Sequence, residues 1–147
     1  MTTIAVGADH AGVLMKNLLA DHLRSGGYDV VDLGTDSTDR VDYPDYGAAV
    51  GRVVAAGGAE LGLLVCGSGI GICIAANKIP GVRAATVHDV TSARLARQHN
   101  DANIVCMGER FLGEQVALDA LDAFMGATFE GGRHAGRVAK IDALLPD

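Results

Sequence analysis

The chain predicts an α/β protein, a three-layer α/β/α fold around a five-stranded parallel Rossmann-like sheet. Short apolar runs rich in Val, Ile, Leu and Ala recur along it, each bounded by Gly, Asp or Asn. Longer stretches with helical spacing lie between them. Regular alternation of strand and helix calls for crossover connections, hence parallel strands with helices on both faces.

Strands are expected in chain order at 3–8, 29–33, 61–66, 83–87 and 103–107, each apolar enough to be buried on both faces. Helical patterns occupy 11–25, 44–56, 70–78, 89–99 and 112–125, and a last one covers about 135–145. At 147 residues, with no linker, repeat or low-complexity tract, the expectation is one domain over 1–147.

Composition removes several classes of function. A hydrophobic share of 49% and a mean hydropathy of +0.24 exclude disorder. Glycines and charges interrupt every apolar run, so no membrane span is expected. Met1-Thr2-Thr3 leads straight into a strand pattern, which leaves no room for a signal peptide. Three cysteines, an odd number, suit a reducing compartment, so the protein is expected to be cytoplasmic. The nearest two, Cys66 and Cys73, are seven apart and match no zinc spacing. A net charge of −6, no Trp and 4% aromatics argue against nucleic acid as a partner. A small anion remains possible if the cations are gathered locally.

In parallel sheets, ligands bind outside the carboxyl ends of the strands. The third strand ends in Cys66, followed by the glycine loop Gly67-Ser68-Gly69-Ile70-Gly71 and a short helix pattern. Free Cys is usually a small buried hydrophobe, and Cys73 and Cys106 are read that way. Cys66 differs because it stands at a strand-to-helix turn, where a helix's positive end favours a thiolate able to act as nucleophile or general base. The loop is neither the dinucleotide fingerprint nor a P-loop. It is either a plain tight turn or a row of N–H groups facing a developing oxyanion.

Other groups carry alternatives of their own. Asp9 either caps the helix from about Ala11, leaving His10 exposed, or works with His10 on a ligand at the same edge. His99 and Asn100 end a helix, where they either serve its dipole and termination or take part in chemistry. Arg133 and Arg137, four apart, share a helix face with His134 between them and no acid at 133–141 to pair them. Such a fork of donors suits a doubly charged phosphate, and Arg110, after the fifth strand, is a third candidate clamp. Lys78 and Arg83 are read as surface or structural.

Gly7-Ala8-Asp9-His10-Ala11-Gly12, Asp42-Tyr43-Pro44, Cys66 to Gly71, Ala75-Ala76-Asn77-Lys78, Arg97 to Asn103 and Glu130-Gly131-Gly132-Arg133-His134 occur together and in order. In these the chain resembles the ribose-5-phosphate isomerase type B family, which includes galactose-6-phosphate and allose-6-phosphate isomerases. The resemblance implies a cofactor-free, metal-free aldose–ketose isomerase of the pentose phosphate pathway, working through an enediolate. Cys66 would move a proton between C1 and C2, and His99 would open the sugar ring. The amides of Gly67, Ser68, Gly69, Ile70 and Gly71, with the Ser68 hydroxyl, would hold the enediolate. Asp9, His10, Asn100 and Tyr43 would bind the sugar, and Arg110, Arg133, His134 and Arg137 the phosphate.

One branch of the family replaces the cysteine by a glutamate on the following helix. That position is Ile72 here, so the chain falls in the cysteine branch. The resemblance further implies a homodimer with shared active sites, sometimes paired into tetramers, with the last helix packing on the partner. A hexose 6-phosphate as substrate and a non-catalytic phosphate- or nucleotide-binding module are the rival expectations.

Overall fold

The computed structural model describes residues 1–146. Its strands are β1 (Thr3–Ala8), β2 (Asp29–Asp32), β3 (Leu61–Cys66), β4 (Ala84–Thr86) and β5 (Ile104–Gly108). They form one five-stranded parallel sheet in the order β2-β1-β3-β5-β4. The helices are α1 (Val13–Ser25), α2 (Tyr43–Ala55), α3 (Gly71–Ala76), α4 (Val90–Asn100), α5 (Glu114–Gly126) and α6 (Ala135–Ala143), with a 3-10 turn at Gly132–His134 before the last.

The period-2 alternation of the central strands makes two cores. Ile4, Val6, Leu63, Val65, Val105 and Met107 face one layer, where they meet Leu19, Ala93 and Phe124 of α1, α4 and α5. Ala5, Leu64, Cys66, Ile104 and Cys106 face the other, against Val50, Ile72 and Cys73 of α2 and α3. Burial on both faces fails at the sheet edges. β2 exposes Asp29, Val31 and Asp32, and β4 is half-buried along its length, because each has a neighbour on one side only.

Helix boundaries also differ from the pattern, three of them with a visible cause. α1 starts two residues late, because Asp9 closes a turn instead of capping: its carboxylate accepts the Ala11 N–H at 2.9 Å and its carbonyl the Gly12 N–H at 3.1 Å. α3 stops at Ala76, where the Asn77 side chain brackets Ala84 by bonding both its N–H and its carbonyl. α4 runs through Asn100, and Asp101 rather than Asn100 takes the left-handed terminating position, at φ 46°.

Strand order turns around between β1 and β3, since β2 lies to one side of β1 and the rest of the sheet to the other. A crevice opens at such a switch point. Gly12 brings the chain entering α1 directly onto the end of β3. A Cβ there would stand 2.5 Å from the carbonyl of Val65 and 2.8 Å from the nitrogen of Cys66.

Candidate active site

At the carboxyl edge the β1 and β3 ends meet. The thiol of Cys66 is buried, and the Gly69 N–H donates to its Sγ at 3.1 Å. Gly69 reaches that position at φ 74°, pressed so closely on Met107 and Gly108 that a Cβ would lie 2.7 Å from backbone. The Thr86 hydroxyl fixes the same residue by donating to its carbonyl at 2.6 Å. The Ile70 N–H donates to the Ser68 hydroxyl, while the amides of Gly67, Ser68 and Gly71 make no backbone hydrogen bond outside the regular elements. Within this loop, then, one N–H serves the thiol and another the Ser68 hydroxyl.

The surrounding side chains converge on that loop. The Arg110 guanidinium lies over Gly67, its Nε 3.2 Å from where a Cβ would be, with Ala11 beside it. The Tyr43 ring lies over Gly71, its Cε1 2.5 Å from the equivalent point. Neither glycine has room for a side chain without moving them. His10 is half-buried rather than exposed, and the Val41 N–H donates to its Nδ1 at 3.1 Å. The same Nδ1 lies 3.2 Å from the Val41 carbonyl, so the Val41 peptide holds the ring whichever nitrogen carries the proton. Asp9 is 6% exposed and spends one oxygen on its own turn. His88 and Asp89 stay outside the group: Asp89 caps α4 through the Ser92 N–H at 2.7 Å, and that amide holds its carboxyl below the ordinary range.

The remaining residues assemble elsewhere. α4 descends from the carboxyl edge to the amino edge, where the Ala102 N–H donates to Ala96 and the Asn103 N–H to Arg83. Its 11 residues span about 16 Å, so His99 ends near the opposite edge from Cys66. There the His99 and His134 rings stack at 4.3 Å with 16° between planes. Glu130 places Oε1 3.5 Å from His134 Nε2 and 3.8 Å from His99 Nε2, and its N–H donates to the Gln98 carbonyl. Burial, and next the charge of His99, hold His134 below the usual imidazole range.

Arg133 lies in the 3-10 turn and Arg137 in α6, so they do not share one helix face, though both are exposed. Among the described residues, Arg110, Arg133 and Arg137 enter no ion pair. Asn100 lines a cavity of about 410 Å³ with Arg83, Ile141 and Leu144. Arg83 is structural, tying Asp101 to Asp142 of α6.

Glu130 is the site residue that sequence reasoning gave no role. The Glu130-to-His134 motif contains both residues, but two positive-φ glycines, Gly131 and Gly132, rather than helical spacing turn the chain so that they meet. A second feature is the thiol cluster behind the loop. Cys73 is pulled down to about 6, chiefly by the Cys106 thiol donating to it and against its burial, while burial pushes Cys106 up. Both are buried, as read from the sequence.

The fold and this edge define a class: a parallel α/β protein with a thiol and a glycine anion loop at its switch point. Comparison makes that specific. The Ribose/Galactose Isomerase family matches residues 4–141. Ribose-5-phosphate isomerase B of Escherichia coli K12 is 46% identical over 144 residues, covering 98% of this chain and 97% of that protein. The structure of Clostridium thermocellum ribose-5-phosphate isomerase B superposes with a TM-score of 0.96 at 48% identity, covering 97% of each chain. That of ribose-5-phosphate isomerase B from Mycoplasma genitalium with bound ribulose-5-phosphate gives 0.93 at 40%, covering 97% of this chain and 95% of that one. The chain belongs to the ribose/galactose isomerase family and is an isomerase. No helix among the described residues is long and apolar enough to cross a membrane.

Proposed function

We propose that the chain interconverts D-ribose 5-phosphate and D-ribulose 5-phosphate through an enediolate. It acts without cofactor or metal, in the cytoplasm, as part of the pentose phosphate pathway. The observation that carries this reading is the Gly69 N–H on the Cys66 thiol, with the amides of Gly67, Ser68 and Gly71 beside it. Proton abstraction next to a carbonyl needs a positioned base and fixed donors for the oxygen that gains charge, and one strand end supplies both.

As the thiolate, Cys66 takes the proton from C2 of the open aldose and returns it to C1. The hydroxyl proton of O2 passes to O1, so the sugar is isomerised with no net redox change. Asp9, His10 and Tyr43 hold the hydroxyls, and Arg110 approaches the phosphate over Gly67.

The rest of the machinery comes from a second copy. With His99 near the opposite edge from Cys66, one chain does not serve both from its own residues. A homodimer in which His99, Asn100, Arg133, His134 and Arg137 of one copy face the Cys66 loop of the other joins the halves. His99 then opens the furanose ring, and α6 packs on the partner. Phosphate binding remote from the reacting carbons supplies energy for orienting them.

The decisive experiment is a coupled assay of ribose 5-phosphate isomerisation with Cys66→Ala. Exchange at C2 should fall at least about 100-fold, the usual range for a lost general base, with phosphate binding nearly intact. Residual turnover within about tenfold of wild type would sink the base assignment. Side-by-side rates on allose 6-phosphate and galactose 6-phosphate test the hexose alternative. Binding of sugar phosphate without turnover would mean a binding module.

A further inference from the structure

We infer that His99, Glu130 and His134 form a binding site for a borderline divalent cation, Zn²⁺ being the natural probe, and that occupancy reversibly inhibits the enzyme. One ligand atom from each residue lies within 4.8 Å of the others. Two of the separations, 3.5 and 3.8 Å to Glu130 Oε1, are already close to the edges of a zinc tetrahedron. Bonds of about 2.0–2.1 Å place tetrahedral ligands roughly 3.4 Å apart. Two imidazoles and a carboxylate form a zinc donor set that leaves a fourth position open.

The independent sign of a ligand is His134. The residue is 7% exposed, and its Nε2 is buried with no hydrogen-bond partner among the described residues. Buried polar atoms normally have one. Its nearest polar neighbour is the Glu130 carboxylate, with which it would share a cation.

The backbone supports the arrangement, since the Glu130 N–H on the Gln98 carbonyl pins the second segment to the last turn of α4. One part must move. The rings are nearly parallel, so their lone pairs run side by side, and a cation in the plane of both requires His99 to tilt out of the stack. His99 is about one-third exposed and free to do so. Arg133 and Arg137 repel added positive charge nearby, which makes the site inhibitory and exchangeable rather than structural. A tilted, metal-bound His99 has no lone pair for ring opening. This inhibitory consequence rests on the reading of His99 in the proposed function, whereas the binding does not.

The test titrates Zn²⁺ into the whole protein against a chromogenic chelator and follows the five histidine imidazoles by NMR. One equivalent per chain is expected, with the His99 and His134 signals moving and those of His10, His22 and His88 unmoved. Glu130→Gln should weaken binding by more than about 10-fold, at least the loss seen when an outer-shell partner is removed. Cys66→Ser should leave it unchanged. Binding that survives Glu130→Gln but is lost in Cys66→Ser would assign the metal to the thiol and overturn the site, as would the absence of saturable binding. Turnover of ribose 5-phosphate should fall with occupancy and return with EDTA. Zn²⁺ bound in the expected pattern with turnover unaffected would uphold the site and overturn both the inhibition and the ring-opening role of His99.

Discussion

The Cys66 thiol accepts a single N–H, that of Gly69, while the thiols behind it are tuned by each other. Cys106 donates to Cys73 and brings it to about 6 although burial opposes this. In Cys66→Ser protein, the ultraviolet thiolate absorbance should therefore rise with a midpoint near 6. Cys106→Ala should shift that midpoint upward. Absence of any thiolate until the ordinary range of about 8.5 would contradict the pairing. His134 makes the opposite kind of prediction. Its folded value lies below the unfolded 6.5, so the unfolded chain takes the proton first. Its contribution to stability is then complete above pH 6.5 and is lost as pH falls below that value. His99, Arg133 and Arg137 act in this direction and Glu130 against it. Melting temperatures of wild type and His134→Gln should converge as the solution is acidified from neutral; a constant difference would refute the link.

Elements meet at the site through positions where no side chain fits. Gly12 has ordinary negative φ, so its requirement is closeness alone: α1 rests on the end of β3 there. Gly12→Ala should cost about 1–3 kcal/mol in urea unfolding, the usual cost of overpacking. It should also lower kcat, because Asp9 and His10 ride on the same turn. Wild-type stability would show that the approach is looser than 2.5 Å implies. At the other edge the elements are held by charge. Arg83, 16% exposed, bonds the end of α4 and α6 together and so carries the segment with Arg133 and Arg137.

For the whole molecule, the proposed homodimer, with each site divided between two copies, predicts complementation. Cys66→Ala and His99→Asn proteins should each be inactive on cyclic substrate, yet unfolding and refolding them together should restore activity. Random pairing makes half the dimers mixed, each with one intact site of two, so recovery approaches about a quarter of wild type. No recovery at all would place both residues of each site in the same chain.

Much of this was legible in the chain. Apolar runs and helical spacing specify the parallel sheet because hydrophobic burial is read locally, residue by residue. The layout of the Cys66 to Gly71 motif is likewise legible, since thiol and glycine loop are adjacent in sequence and in space. The exposure of β2 was not legible, because an edge strand is defined by the neighbour it lacks. Nor was the position of Glu130 between two histidines that lie on different segments. Above all, sequence alone brings His99, Arg133 and Arg137 into one inventory with Cys66. Only the tertiary structure assigns them to opposite edges, because an α4 of fixed rise must carry His99 away from the strand ends where it began.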